Sequence, residues 1–223
     1  VTFSLSSIIA ALLFGVALGN IARGIPIGSD KEFAGTFFGL LNPFSLMVGI
    51  MTVAMFMMHG SVYASIKTEG DTQEQISRRL KVILPVFTFC FISVFVVSFF
   101  HIPHLFNNFK LYPFLFAVPV LTILFIVILF IQIYRKSYGK AFIFSSLTIV
   151  SIMAILAIGL FPNLVISNPN PENSLNIYNS ASSQKTLKIM LIIAAIGMPL
   201  VIAYTSFIYW IFRGKVKLEE VSY

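Results

Sequence analysis

An all-α polytopic membrane protein, a bundle of about six transmembrane helices forming one membrane domain over residues 1–223, is the fold class this sequence predicts. Three observations predict it. First, hydrophobic residues make up 58% of the chain and charged residues 10%, with 24 Phe. A soluble domain typically carries ~25% charged residues, so a water-soluble globule is excluded, and so aromatic a chain is not a disordered one. Second, six windows reach the ~20 mostly apolar residues that a helix needs to cross a bilayer. They are unbroken and about twice the length of the ~10-residue alternating strands of a transmembrane barrel. Third, no Asp, Glu, Lys or Arg falls in the middle of any window.

The windows run, in order, over 3–22, 37–66, 82–102, 112–134, 141–161 and 186–212, leaving 213–223 as a tail. The first contains Gly15-Val16-Ala17-Leu18-Gly19, and Gly35-Thr36-Phe37-Phe38-Gly39 leads into the second. Both fit the small-xxx-small pattern that lets helix backbones approach closely, within this chain or against a partner. In the second window Met47, Met51, Met55 and Met58 recur at spacings of four, four and three, which places them on one helix face. No His pairs with them near mid-membrane, so adaptable packing is preferred to haem ligation.

His59 falls toward the end of the second window, and His101 and His104 close the third. Pro103 ends that helix and separates the two imidazoles, so all three His read as interfacial side chains, not as haem ligands or proton shuttles. Cys90 has no disulfide or zinc partner, and no Cys/His cluster has metal-ligand spacing. The fourth window carries Pro119 and the sixth Pro199. Between the last two windows, 162–185 holds six Asn with Pro169 and Pro171, turn formers that predict an ordered cap or a mobile loop rather than a span. Asn173-Ser174-Leu175 within it lacks the third-position hydroxyl of a glycosylation acceptor. Its end, Asn179-Ser180-Ala181-Ser182-Ser183-Gln184, can cap the sixth helix or offer a polar contact to a partner or a quinone head group.

The net charge of +7 comes from 15 Lys and Arg against eight acidic residues. Clustering on one face, which nucleic-acid binding needs, is absent. The basic residues sort by topology instead. Lys67, Arg78, Arg79, Lys81, Arg135, Lys136, Lys140, Arg213, Lys215 and Lys217 fall on one side, and Arg23, Lys31, Lys110, Lys185 and Lys188 on the other. Positive residues favour the cytoplasm, so both ends are expected there, with the residues between windows two and three and between four and five as cytoplasmic loops. All eight acidic residues are expected in loops or the tail, which leaves no buried ionisable group for a proton path. No nucleophile–base set, phosphate loop or dinucleotide fingerprint appears.

Four ordered blocks add a resemblance. They are Phe14-Gly15-Val16-Ala17-Leu18-Gly19-Asn20 with Gly24-Ile25-Pro26; Leu41-Asn42-Pro43-Phe44; Ala141-Phe142-Ile143-Phe144-Ser145-Ser146-Leu147-Thr148; and Ser182-Ser183-Gln184-Lys185-Thr186-Leu187 with Tyr204-Thr205 and Tyr209-Trp210. Together they resemble subunit II of the bacterial cytochrome bd quinol oxidase, over essentially the whole chain. The resemblance implies a non-haem scaffold subunit of an inner-membrane complex that oxidises quinol and reduces dioxygen to water. Haems b and d and the quinol-oxidation loop would belong to the partner, subunit I, and a bound quinone or lipid is implied for some members. Members of the family are longer and begin with further helices whose polar residues are associated with proton delivery. Those helices have no counterpart before Val1, so a fragment or a truncated or split form is expected and no proton-path residue is carried over. The connection between windows three and four is also short for the family.

No catalytic, metal or cofactor residue is therefore expected in this chain. The candidate contacts to a partner, quinone or lipid are Gly15, Gly19, Asn20, Asn42, Ser183 and Gln184. The rival reading is a small-solute transporter or channel, motivated by Pro119 and Pro199 as sites of broken helices. A di-haem anchor would need paired mid-membrane His, which the windows lack.

Overall fold

The computed structural model describes residues 2–212 and 214. It is an all-α multi-pass membrane protein. Seven helices follow in order: α1 (Thr2–Arg23), α2 (Pro43–Lys67), α3 (Gly70–His101), the short α4 (Asn107–Leu111), α5 (Ala117–Tyr134), α6 (Tyr138–Leu160) and α7 (Gln184–Ile211). All but α4 are long and apolar enough to cross a membrane, with α5 extended to Pro113 by a 3-10 turn. The tail expected over 213–223, with Arg213, Lys215, Lys217, Glu219 and Glu220, lies outside the described residues apart from Gly214.

Two helix starts differ from the apolar windows for identifiable reasons. The second window begins at 37, but α2 starts at Pro43 and Phe38–Leu40 forms a 3-10 turn. Asn42 is the cause. A residue before proline is pushed out of the helical region. Asn42 is extended (φ −72°, ψ 158°) and its side chain caps Ser45 N, with Pro43 in the first turn. The Gly35…Gly39 pattern is consequently a bend and turn, not a helix-packing face. The third window begins at 82, but α3 starts at Gly70. Its first turns are polar, so hydropathy misses them. Arg78, Arg79, Lys81, Asp71 and Glu74, expected in a loop, are helical, and only Thr68 and Glu69 separate α2 from α3. At 1.5 Å per residue the 32 residues of α3 span about 48 Å, well past a ~30 Å hydrocarbon core.

α2 is the central element, packed against α1, α3 and α6, while α5 pairs with α6. The methionine stripe faces inward: Met51, Met55 and Met58 are 6%, 2% and 0% exposed. They pack in a core with Leu80, Leu84, Phe87 and Phe91 of α3, Ile126 and Leu129 of α5, and Ile152 of α6. Where helices meet, several buried hydroxyls are satisfied within their own helix, although Ser45 Oγ, at the α1–α2 crossing, is buried without a partner among the described residues. Thr52 donates to Val48 O, Thr122 to Val118 O and Thr148 to Phe144 O, each within one turn. Such side chains add little bulk and leave no donor facing lipid.

α1 and α2 cross at glycines. A Cβ added to Gly15 would lie 2.7 Å from Gly49 Cα and 2.5 Å from Thr52 Oγ1, and one on Gly19 would lie 2.7 Å from Ser45 Cα. One on Gly49 would lie 2.9 Å from Leu12 O. The two backbones are therefore closer than any side chain allows.

At one end of the bundle, 24–42 and 162–183 form an ordered cap. Gly24, at φ +90°, turns the chain off α1. Ile25 N then donates to Ile166 O and Asn168 N to Ile25 O, both at 3.0 Å. β1 (Asn163–Val165) pairs antiparallel with β2 (Leu175–Asn176), and Asn173 Nδ2 donates to Ile27 O at 2.9 Å. Asn173 thus ties the Asn-rich segment to the facing loop, while Asn179 Nδ2 donates within the segment to Ser174 O.

Replacing Gly15 by Val should weaken the α1–α2 crossing by roughly 1–3 kcal/mol, the usual range for overpacking. Gly60, where an added Cβ meets nothing within 4 Å, supplies the control. Gly60→Ala should leave thermal unfolding in mild detergent unchanged or slightly raised, and the comparison of the two melting curves checks the assignment.

Candidate functional site

Four of the six candidate contact residues come together at the α1–α2 seam. Asn20 is 6% exposed and donates from Nδ2 to Val16 O (2.9 Å) and to Leu40 O (2.8 Å). Asn42 Nδ2 donates to Asn20 Oδ1 at 2.9 Å, while Asn42 Oδ1 accepts from Ser45 N at 3.0 Å. One side chain thus caps α2 and binds α1 at the residue after Gly19. Gly15, Gly19 and Asn20 are buried and Asn42 is half-buried, so this polar lock is turned to the chain's own packing.

Ser183 and Gln184 are elsewhere and exposed. Ser183 Oγ accepts from Thr186 N at 3.3 Å, capping α7. α7 itself stands off the bundle. None of its residues is buried, and Ile192, Ile193, Ile196 and Leu200 are all exposed. Its far end is tied by Lys67 Nζ, which donates to Phe212 O at 2.7 Å. Neither the exposure of α7 nor that of its cap residues was legible beforehand, because a helix that is apolar all round can equally be buried or lipid-facing.

The three His residues make structural contacts. His59 and Ser145 join α2 to α6 through Nδ1 and Oγ at 2.8 Å. Ser145 Oγ donates to Phe142 O, so the imidazole N–H is the donor in the pair. The ring also stacks on Phe142, 4.8 Å between centroids. His104 Nε2 lies 2.8 Å from Ala22 O and so fastens the turn after α3 to the end of α1. His101, exposed, has Nδ1 3.3 Å from Val97 O. Sequence reasoning missed Asn108, whose Nδ2 donates to Ile158 O at 2.7 Å at the end of α6. A lone Asn in a short connection carries no periodic signal, and only its surroundings reveal the role.

Between α1, α2, α3 and α6 lies a cavity of ≈ 100 Å³ lined by Val48, Met51, Met55, Phe91, Phe95 and Phe106 among others. Above it a wider cleft of ≈ 560 Å³ opens at the capped end, lined by Arg23, Asn42, Phe44, His101 and His104. Among the described residues no group of three or more His, Cys, Asp or Glu could hold a metal ion.

A family model described as cytochrome bd terminal oxidase subunit II matches residues 1–212. The chain belongs to that family. It is 28% identical to the cytochrome bd-I ubiquinol oxidase subunit 2 of Escherichia coli (strain K12), over 98% of this chain and 65% of that protein. It is 29% identical to the probable cytochrome oxidase subunit 2 of Haemophilus influenzae, over 96% of this chain and 64% of that protein. It is 24% identical to the cytochrome bd ubiquinol oxidase subunit 2 of Bacillus subtilis (strain 168), over 96% of this chain and 62% of that protein. The chain thus spans just under two thirds of these relatives.

A haem, which a cytochrome implies, does not fit at His59, at the methionine stripe or in the central cavity. His59 is engaged by Ser145 and Phe142, and the thioethers of Met55 and Met58 are sealed in the core. The central cavity is a few water molecules in size and has no imidazole on its wall. What the residues can do is hold helices in register.

Asn42→Ala removes both the α2 cap and the bond to Asn20. Loss of a cap costs ~1 kcal/mol and an interhelical bond in a membrane protein ~0.6. The variant should therefore lose about 1.5–2 kcal/mol in detergent unfolding. In a double-mutant cycle with Asn20→Ala it should show coupling of at least ~0.5 kcal/mol.

Proposed function

We propose that this chain is the non-haem scaffold subunit of a membrane quinol oxidase. It packs beside a haem-bearing subunit carrying haems b and d, and that partner oxidises quinol while reducing dioxygen to water. The family match and the names of the relatives support the reading. The assembly belongs to the bacterial cytoplasmic membrane, and the ten-against-five division of basic residues favours both ends of this chain on the cytoplasmic side.

The observation that carries the reading is α7. A 28-residue apolar helix contributes no buried residue to its own chain. Hydrophobicity alone does not drive helices together in lipid, so partners are chosen by close packing. α7 offers that at Ala194, Ala195 and Gly197, where a Cβ on the glycine meets nothing of this chain within 4 Å. A partner helix can approach there as closely as α1 approaches α2. Ser183 and Gln184, exposed at the start of the same helix, are the polar groups through which the partner or a quinone head group would be met. The transporter reading loses its motive. Pro119 sits in the first turn of α5 and α7 runs unbroken through Pro199, so neither helix is discontinuous.

Gly197→Phe tests the reading, since it fills the face at a position where an added Cβ meets nothing of this chain within 4 Å. Tagged wild-type chain, expressed with the rest of its complex, should co-purify haem absorbance. The variant should co-purify severalfold less while its own unfolding curve is unchanged. Stoichiometric haem in the purified, partner-free chain would overturn the proposal.

A further inference from the structure

We propose that the capped end of the bundle holds a binding site for an anionic amphiphile, with a phosphate-type oxyanion seated in a cationic cleft above an apolar cavity. Three basic side chains from three segments line the ≈ 560 Å³ cleft: Arg23, the last residue of α1; His101, the last of α3; and His104, in the turn that follows. His104 is pinned beside Arg23 by its 2.8 Å contact with Ala22 O. Among the described residues no Asp or Glu lines the cleft. Asn42 and Pro43, the cap and first residue of α2, line it as well, so the positive end of the α2 dipole adds to the same field. Arginine's planar fork suits two phosphate oxygens, and each imidazole offers the ring nitrogen opposite its backbone contact, Nε2 of His101 and Nδ1 of His104.

Below this mouth the walls become apolar. Phe44 lines both the cleft and the ≈ 100 Å³ cavity beneath, which continues between Val48, Phe91, Phe95 and Phe106. A charged opening bordered by an apolar wall suits a molecule with an anionic head and an apolar body, whose tail would run along the helices in the bilayer because the ≈ 100 Å³ cavity is too small to hold it. Its position at the end of the spanning helices is also the depth of lipid head groups.

One competing account must be separated. Basic residues at helix C-termini are favourable without any ligand, and Arg23 and His101 both occupy such positions. That account predicts no preference among head groups. The full chain, with its partner subunits if they co-purify, would be reconstituted in phosphatidylcholine nanodiscs. Phosphatidylglycerol, additional phosphatidylcholine or soluble inorganic phosphate would then be titrated, with retained lipid read by native mass spectrometry and unfolding by heat. Phosphatidylglycerol should be retained in preference to phosphatidylcholine. Arg23→Gln/His101→Gln should weaken that retention about tenfold, the equivalent of one lost charge-assisted bond. Both side chains are exposed, so folding is undisturbed, and Arg23→Lys should restore most of the binding. Lys110→Gln, an exposed cation at the same end but outside the cleft, should change nothing. Stabilisation by inorganic phosphate alone, lost in the same double variant, would support the oxyanion site and assign it to a soluble ligand. Equal retention of the two lipids, or a double variant that binds as the wild type does, would overturn the proposal.

Discussion

The contact on which the structure depends is the crossing of α1 on α2, where Gly15 and Gly49 bring two backbones to within the reach of a single Cβ. Inside a bilayer, apolar side chains gain almost nothing by leaving lipid for each other. What remains to choose a register is close packing and the few polar groups that would otherwise face hydrocarbon. The crossing supplies the first and the Asn20–Asn42 pair the second. Because Asn42 also caps α2, the same side chain decides where the central helix begins and how it is rotated against its neighbour.

That rotation determines the other faces of α2. With the glycine side given to α1, the methionine side is turned to α3 and α6, where unbranched thioethers fill gaps among Leu84, Phe87 and Ile152. His59, near the opposite end of α2 from Asn42, closes onto Ser145 of α6. A polar contact near each end and a deformable apolar middle hold the central helix without burying a charge. α5 then joins through α6, and among the described residues α7 buries no side chain. An apolar helix without a core of its own is what gives the subunit reading its force.

Most of the spanning architecture was legible because a ~20-residue apolar run has few other uses. The small-xxx-small spacing at Gly15 and Gly19 was legible for the same reason, although its partner helix was not. The failures have separate physical sources. Hydropathy sees the part of a helix that lies in lipid, so the polar first turns of α3 were read as loop. It also sees Phe37, Phe38, Leu40 and Leu41 as membrane, although Pro43 forbids a helix from continuing through Asn42. The cap depends on pairing Ile25 with Ile166 across some 140 residues, and no local pattern encodes such a partner. The cleft is hidden likewise: Arg23 and His104 are 81 positions apart and adjacent only once Ala22 O meets the imidazole.

The cleft also separates two kinds of charge in one chain. Lys67, Arg78, Arg79, Lys81, Arg135, Lys136 and Lys140 gather at one end of the bundle, the pattern that the proposed orientation and the positive-inside bias would account for collectively. Arg23, His101 and His104 gather at the opposite end, on the side where Lys31, Lys110, Lys185 and Lys188 are also expected, and the bias, which concerns Lys and Arg, does not bear on the imidazoles. The grouping of one arginine with two imidazoles needs a local cause. Helix C-termini supply one for Arg23 and for His101, but His104 lies in a turn beyond α3 and completes the cluster without a long helix of its own to compensate. The surroundings that all three share are the cleft and the apolar cavity under it. A site for a negatively charged head group accounts for the three together, where helix ends account for two of them singly.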